Sequence, residues 1–413
     1  MKRHLIGIGG VGMSALATAL VRLGDEVTGA DRTLGTPNIK FLESLGVRVF
    51  PDDGRGVDDS TDEVVVSTAI EDTNAGLRRA KELGIPVTHR AAALSRALSG
   101  HRLVAVAGTC GKSTVTAMLG HVLAECGLDP LCVNGANVPG WEGAVRFGRG
   151  EYAVAEVDES DKSLVAFRPY AAVVTNASAD HYSKEEMDEV FDAFVKDCCG
   201  PVVDGRRSDV AGAEADTSLP GRHNRENAAL ALKMAVALGC DESRARAALL
   251  SFRGVERRLQ RVFPEGSVRD GAAAVFDDYA HNPEKLHAMW TTLAEKYPRG
   301  VCAVWRPHGY APLRKMMDAL ARMFAETVRP QDRLLLLPVY DAGGTTDRSI
   351  NSDALAGAIA ALGPAPVALV PDLDAAYVWC EAHLGDFDCF VTCGARDPGL
   401  PELARRLAGA LQR

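Results

Sequence analysis

The sequence predicts an α/β chain of three units in series. Three observations predict it. Short apolar runs alternate with amphipathic stretches in βαβ rhythm, which implies parallel sheets covered by helices. Two glycine-rich turns, starting at Gly7 and Gly108, each stand between a strand pattern and a helix pattern. A third series of five strand-like runs follows Arg258.

The first unit reads as a strand over His4–Ile8 and a helix over Met13–Leu23. A strand at Glu26–Ala30 ends at Asp31. A helix over Asn38–Leu45, strands at Val47–Phe50 and Val64–Ser67, and a helix over Asn74–Leu83 follow. The second unit opens near Arg102, with a strand at Leu103–Ala107, a helix running to about Glu125, and strands at Tyr152–Val157 and Ala171–Thr175. Glu186–Lys196 and Asn224–Leu238 read as helices, and the polar stretch Gly200–Pro220 as irregular. The third unit carries strands at Ala274–Asp277, Val301–Trp305, Arg333–Pro338, Val367–Val370 and Cys389–Thr392. Pro312–Thr327 and Asp353–Leu362 are helices between them. The resulting boundaries are 1–99, 100–262 and 263–413.

Composition narrows the function classes. Of 413 residues, 47% are hydrophobic and 24% charged, a balance that can build cores and so argues against disorder. The net charge of −9 argues against a nucleic-acid binder. Ten scattered cysteines without C-x-x-C spacing read as reduced thiols in a cytoplasmic protein. Lys2 and Arg3 precede an apolar stretch, but Gly7, Gly9, Gly10 and Gly12 break it, so a strand and turn are expected rather than a leader. No run of 18 apolar residues suggests a membrane span.

Six motifs carry chemistry. Gly7-x-Gly9-x-x-Gly12, with Asp31 closing the next strand, lets backbone approach a diphosphate at a helix N-terminus. Alone it fits NAD, FAD or any nucleotide diphosphate. Gly108-Thr109-Cys110-Gly111-Lys112-Ser113-Thr114 holds the core of a phosphate loop, although Val106 replaces its usual first glycine. Lys112 suits terminal phosphates and the Ser113 hydroxyl suits Mg²⁺. Glu156-Val157-Asp158-Glu159-Ser160-Asp161 places carboxylates at a strand end, where ligands of parallel sheets bind. Asn176-Ala177-Ser178-Ala179-Asp180-His181 offers His181 to a metal or phosphate. Asn224 and Asn227, three residues apart, share a helix face and could read an adenine edge. Asp277-Asp278-Tyr279-Ala280-His281-Asn282-Pro283 crowds acidic, aromatic and imidazole groups at a strand end.

Taken together and in this order, the chain resembles the Mur ligase family of ATP-dependent, amide-forming ligases of peptidoglycan synthesis. HLIGIGGVGMSALA, STAIEDTN, IPVTHRAAAL, GTCGKST, EVDESDKS, NASADH, GRHNRENA, GVERRL and DDYAHNP carry the likeness over nearly the whole length. The resemblance implies a Rossmann-like UDP-binding domain, a central ATP-binding domain and a Rossmann-like C-terminal domain. It implies that Gly9, Gly10, Val11, Gly12, Met13 and Asp31 hold a UDP-sugar. Gly108 to Thr114 would cradle ATP, Lys112 taking its β,γ-phosphates. Ser113 and Glu156 would bind one Mg²⁺ and His181 a second. Asn224 and Asn227 would read adenine. Arg258 and Asp278 would reach the ATP, and His281 stands with them as a catalytic candidate. The implied partners are a UDP-linked sugar carboxylate and an amino acid. Neither nucleic acid nor membrane is implied, and monomer and homodimer both stay open.

Three departures qualify the likeness. About forty residues separate His181 from Gly221, a shorter gap than alanine-adding members of the family carry. Arg306-Pro307-His308-Gly309-Tyr310-Ala311-Pro312-Leu313-Arg314 has Gly309 and Pro312 where those members hold an amino-acid carboxylate with arginines, and only Arg314 remains in register. Asn282 follows His281, where a second histidine is usual. Lys196 lies where several family members carry a carbamylated lysine, but it reads as an exposed helix residue. Three alternatives stand beside the ligase reading. One is a nicotinamide oxidoreductase, which leaves the phosphate loop unexplained. Another is a muropeptide-recycling or other ligase with a different acceptor. The last is a ligase-like protein that binds nucleotide without catalysis.

Overall fold

A computed structural model describes residues 1–158, 163–177, 184–262, 273–341 and 347–411. The chain forms two compact units, Met1–Val255 and Glu256–Arg413. The first unit holds two sheets and the second holds one.

The first sheet contains β1 (Lys2–Ile6), β2 (Glu26–Asp31), β3 (Arg48–Pro51), β4 (Glu63–Val66) and β5 (Val87–His89), in the order β3-β2-β1-β4-β5. All pairings are parallel. β1 therefore sits at the point where the strand order reverses, and its glycine turn opens into the crevice there. The second sheet contains β6 (Arg102–Ala107), β7 (Leu131–Val133), β8 (Val145–Arg146), β9 (Tyr152–Glu156), β10 (Ala171–Val174) and β11 (Val202–Asp204), ordered β11-β10-β6-β9-β7-β8. β6 lies between β9 and β10, so the loop after it meets the ends of both. Only the edge strand β8 runs antiparallel.

One apolar cluster joins the two sheets of this unit. Leu16 and Leu20 of the helix Val11–Arg22 belong to it, with Leu103 and Ala105 of β6 and Leu131 of β7. Each fully buried leucine contributes about 1.5–3 kcal/mol. An Arg22–Glu142 ion pair, with contacts of 2.6 Å, lies at the rim.

The third sheet contains β12 (Gln260–Arg261), β13 (Ala274–Asp278), β14 (Val301–Trp305), β15 (Arg333–Leu336), β16 (Val367–Leu369) and β17 (Cys389–Cys393), ordered β12-β13-β17-β14-β15-β16. It is parallel except for β12. The carboxyl ends of β13, β17 and β14 therefore lie side by side.

The α/β architecture and nearly every expected strand are present, with ends shifted by one or two residues. Several elements were not expected, among them β7, β8, β12 and the helix Glu242–Ser251, and two stretches differ most clearly. Val87–His89 and the helix Arg90–Ala97 fill a segment where no element was expected. Val202–Asp204 pairs with β10 inside the stretch expected to be irregular. Both strands have three residues, too few for a periodic signal, and they exist because a neighbouring strand accepts their backbone.

The short gap after the acidic motifs beside the second sheet is closed locally. Arg206 lies just past β11. Its guanidinium donates to Asp204 at 2.7 Å, to Asp192 at 2.7 Å and to Asp188 at 3.0 Å, tying the strand to the helix Lys184–Lys196. These carboxylates push the Arg206 pKa up. Lys196, at the end of that helix, is exposed. Among the described residues no helix is long and apolar enough to cross a membrane.

Candidate active site

The glycine loop Gly108–Gly111, the expected phosphate loop, follows β6 and ends in the helix Lys112–Glu125. Gly111 caps this helix with φ 83°, a left-handed conformation that favours glycine. A Cβ there would lie 2.5 Å from Asn227 Oδ1, so the loop backbone touches the Asn227 side chain directly. Neighbouring side chains hold the loop open. Asn176 Oδ1 accepts from Thr109 Oγ1 at 2.7 Å and from the Cys110 amide at 2.9 Å. Asn176 Nδ2 donates to the Cys110 carbonyl at 3.0 Å, and Thr175 Oγ1 donates to the same carbonyl at 2.6 Å. Lys112 Nζ donates to the Gly108 carbonyl at 2.6 Å, which keeps the ammonium over the loop. Ser113 and Thr114 are buried beneath it.

Asn224 and Asn227 are both buried, on the helix Arg222–Ala237. Gly221, not Asn224, caps that helix, and Asn224 Nδ2 instead donates to the Pro220 carbonyl at 2.7 Å. Ordinary capping therefore does not account for Asn224. Glu156 ends β9, and its Oε2 accepts from the Gly135 amide at 2.7 Å. β9 pairs with β6, so Glu156 and the loop share one sheet edge. The Ser113 hydroxyl and the Glu156 carboxylate are hard oxygen donors, a set that fits Mg²⁺. His181, the expected second metal residue, lies outside the described residues, as do Glu159, Ser160 and Asp161.

At the other crevice of this unit, Gly10 caps the helix Val11–Arg22 with no side-chain bond, leaving its first amides for an anion. Gly10 and Val11 are exposed, whereas the Met13 side chain is core. Asp31 shapes the turn. Its Oδ2 accepts from the Gly9 amide at 2.9 Å and its Oδ1 from the Thr33 amide at 3.0 Å. Arg90 is a residue that sequence reasoning missed. Its Nη1 lies 3.0 Å from where a Gly12 Cβ would stand, and its Nη2 donates to Asp158 at 3.0 Å. One guanidinium thus connects the glycine turn to the acidic strand end. The residue lay in the quoted IPVTHRAAAL, but no spacing rule marked it.

In the second unit, Asp278 is buried, and its carboxylate accepts from the Leu259 amide at 2.6 Å and the Ala280 amide at 2.7 Å. Burial raises its pKa, against those two donors. It thereby braces Leu259, whose φ is 44°, beside Arg257 at φ 58°. Arg257, also missed, donates to Asp277 at 3.0 Å and to the Gly394 carbonyl at 2.5 Å. Asp277 is raised to about 6 by burial, opposed by Arg257. Arg258 lies over the Tyr279 ring at 5.4 Å. His281 packs edge-on to Tyr279 at 5.4 Å and to His308 at 4.8 Å, and hydrogen-bonds the Tyr279 carbonyl through Nδ1 at 2.8 Å. His308 is lowered to about 4, first by burial and then by the charges of His281, Arg396 and Lys285. Asn282 and Pro283 serve the helix Pro283–Lys296, as its cap and its first residue.

Comparison with known proteins matches both ends of this architecture. Residues 2–102 match the family described as "Mur ligase family, catalytic domain", and residues 257–396 match "Mur ligase, glutamate ligase domain". The UDP-N-acetylmuramate–L-alanine ligase of Halorhodospira halophila is 34% identical over 460 residues, covering 99% of this chain and 93% of that protein. This chain belongs to the Mur ligase family. The enzyme of the same name from Rubrobacter xylanophilus is 35% identical, covering 96% of this chain and 97% of its own length. The first alignment is longer than the chain, so that relative carries residues with no counterpart here, in keeping with the short gap before Gly221. Among solved structures, UDP-N-acetylmuramate–alanine ligase from Thermotoga maritima shares the fold with a TM-score of 0.82 at 24% identity, covering 100% of this chain and 99% of its own. A murein peptide ligase from Psychrobacter arcticus shares it at 0.63 and 21% identity, with the same coverage.

Proposed function

We propose that this Mur ligase joins an amino acid to the carboxylate of UDP-N-acetylmuramate at the expense of ATP. The single observation that carries the reading is the loop at Gly108–Ser113, braced by Asn176 and Asn227 with Lys112 laid across it. That is a phosphate cradle on the same sheet edge as the Glu156 carboxylate.

A carboxylate is a poor electrophile toward an amine, and phosphorylation supplies the leaving group. A carboxylate oxygen of the sugar attacks the γ-phosphorus of ATP, and ADP departs, leaving an acyl phosphate. The amine then attacks the acyl carbon, the C–O bond breaks, and inorganic phosphate leaves with its electrons while the nitrogen loses a proton. Backbone amides of the loop and the Lys112 ammonium oppose the negative charge on the transferring group. Asn224 and Asn227 offer donors and acceptors to the adenine edge. Amides at the start of Val11–Arg22 receive the UDP diphosphate. Ser113 and Glu156 would hold a Mg²⁺, which supplies further charge neutralisation at the phosphates. Arg257 and Asp278 shape the strand end that presents Tyr279, His281 and His308.

The test is phosphate release from ATP with Mg²⁺, UDP-N-acetylmuramate and amino acids supplied one at a time. Release is expected only when the sugar nucleotide and an amino acid are both present, and is lost in Lys112→Met. Release without the sugar nucleotide, or none with any amino acid, would overturn the reading. L-Alanine is the first acceptor to supply, because both curated relatives carry its name.

A further inference from the structure

Two thiols of the first unit meet at a place the reading above leaves without a role. Cys126 caps the C-terminal end of the helix Lys112–Glu125, and Cys240 lies just past the helix Arg222–Ala237. Their side chains hydrogen-bond each other. The starts of the same two helices also touch, through Gly111 and Asn227. The helices therefore run parallel and meet at both ends, about 20 Å apart. Cys240 belongs to the apolar cluster between them, and Cys126 packs against that cluster from its rim. Cys240 is buried, whereas Cys126 is half-buried.

The backbone leaves this pair room to close. Gly127 follows Cys126 at φ 86° and Gly239 precedes Cys240 at φ 97°, so both cysteines stand in the turns that end the helices. A Cβ on either glycine would meet nothing within 4 Å. An S–S bond of about 2.05 Å needs the sulfurs to approach only from hydrogen-bond contact. Burial, then the hydrogen bond to Cys126, pushes the Cys240 thiol up to about 12, and the charge of Arg244 acts the other way. Cys126 is thus the thiol that meets an oxidant, and Cys240 the one that resolves it. A second hydrogen-bonded pair, Cys302 and Cys380, lies in the other unit with both members fully buried, and it serves as an internal comparison.

We propose that Cys126 and Cys240 form a peroxide-sensitive pair that closes into a disulfide and clamps the two helices behind the glycine loop. The Cys126 sulfur attacks one oxygen of hydrogen peroxide, the O–O bond breaks, and a water leaves a sulfenic acid behind. The Cys240 sulfur attacks that sulfur, the S–O bond breaks, and a second water leaves. Two electrons pass from the thiols to the peroxide, and both thiol protons end in water. The ring so closed encloses residues 127–239, with Glu156, Asn176, Asn224 and Asn227 inside it. Closure restricts the unfolded chain and so stabilises the folded unit.

The experiment treats the reduced full-length protein with hydrogen peroxide, unfolds it in an alkylating agent and maps its peptides by mass spectrometry. A peptide cross-linked between Cys126 and Cys240 is expected, with Cys302 and Cys380 recovered as alkylated thiols. The thermal midpoint of the oxidised protein should rise by about 5–10 °C, and dithiothreitol should reverse the rise. Cys126→Ser and Cys240→Ala should each lose it. The mapping uses wild type and does not depend on how either variant folds. Absence of the cross-linked peptide, a cross-link without a higher midpoint, or an equal rise in Cys126→Ser overturns the proposal. Cross-linking of Cys302 to Cys380 to the same extent overturns the role given to the exposure of Cys126.

Discussion

Replacing Gly111 by alanine tests the phosphate loop where its geometry is tightest. The residue sits at φ 83°, which costs an L-residue about 1–2 kcal/mol. The new methyl would stand 2.5 Å from Asn227 Oδ1, well inside contact distance, and Asn227 is buried. Relieving that overlap costs about 1 kcal/mol more. If the loop escapes by leaving its left-handed turn, its amides no longer converge, and nucleotide binding carries the whole penalty. A total of about 2–3 kcal/mol corresponds to roughly 30- to 150-fold weaker binding. Titration calorimetry with ADP and Mg²⁺ reads this directly. The same substitution in an Asn227→Ala background keeps the strain but loses the overlap, so its cost there should be smaller by about 1 kcal/mol. Binding within threefold of wild type, or an equal cost in both backgrounds, would refute the argument.

Three other outcomes follow from single contacts. Asn176→Ala removes both donors and acceptors that hold Thr109 and Cys110, and should weaken ADP binding about tenfold in the same calorimetry while leaving the far-ultraviolet spectrum unchanged. Arg206→Met leaves the buried Asp204 carboxylate unpaired at a cost of about 3 kcal/mol, seen as faster amide exchange in Val202–Asp204, and Asp204→Asn should restore part of it. His4 is buried against Thr28 Oγ1 at 2.9 Å, and burial lowers its pKa from 6.5 to about 4. Because the unfolded chain takes up that proton first, stability should be complete above pH 6.5 and fall as pH drops toward 4, by at most about 3 kcal/mol. Urea titrations of His4→Gln should show a flatter slope across that window.

The parts readable in the sequence are those where one short segment contains its own physics. A strand, glycines and a helix start specify a phosphate loop because backbone amides and Lys112 all come from seven consecutive residues. The same holds for the glycine turn at Gly7–Gly12 and for most strands, whose apolar runs are long enough to show a period. Asn224 and Asn227 were legible because helical spacing puts them on one face.

Other features needed distant segments to meet. β11 is too short to signal itself and exists because β10 and Arg206 receive it. Arg90 reaches Gly12 and Asp158 only because two sheets of one unit pack on a common core. The sequence showed Gly309 and Pro312 in place of arginines, but it could not show that Arg396, 87 positions later by number, points at Gly309. That encounter depends on β17 being inserted beside β14, a consequence of sheet order. Local chemistry is written along the chain, whereas the neighbours of an exposed guanidinium are chosen by which strands share an edge.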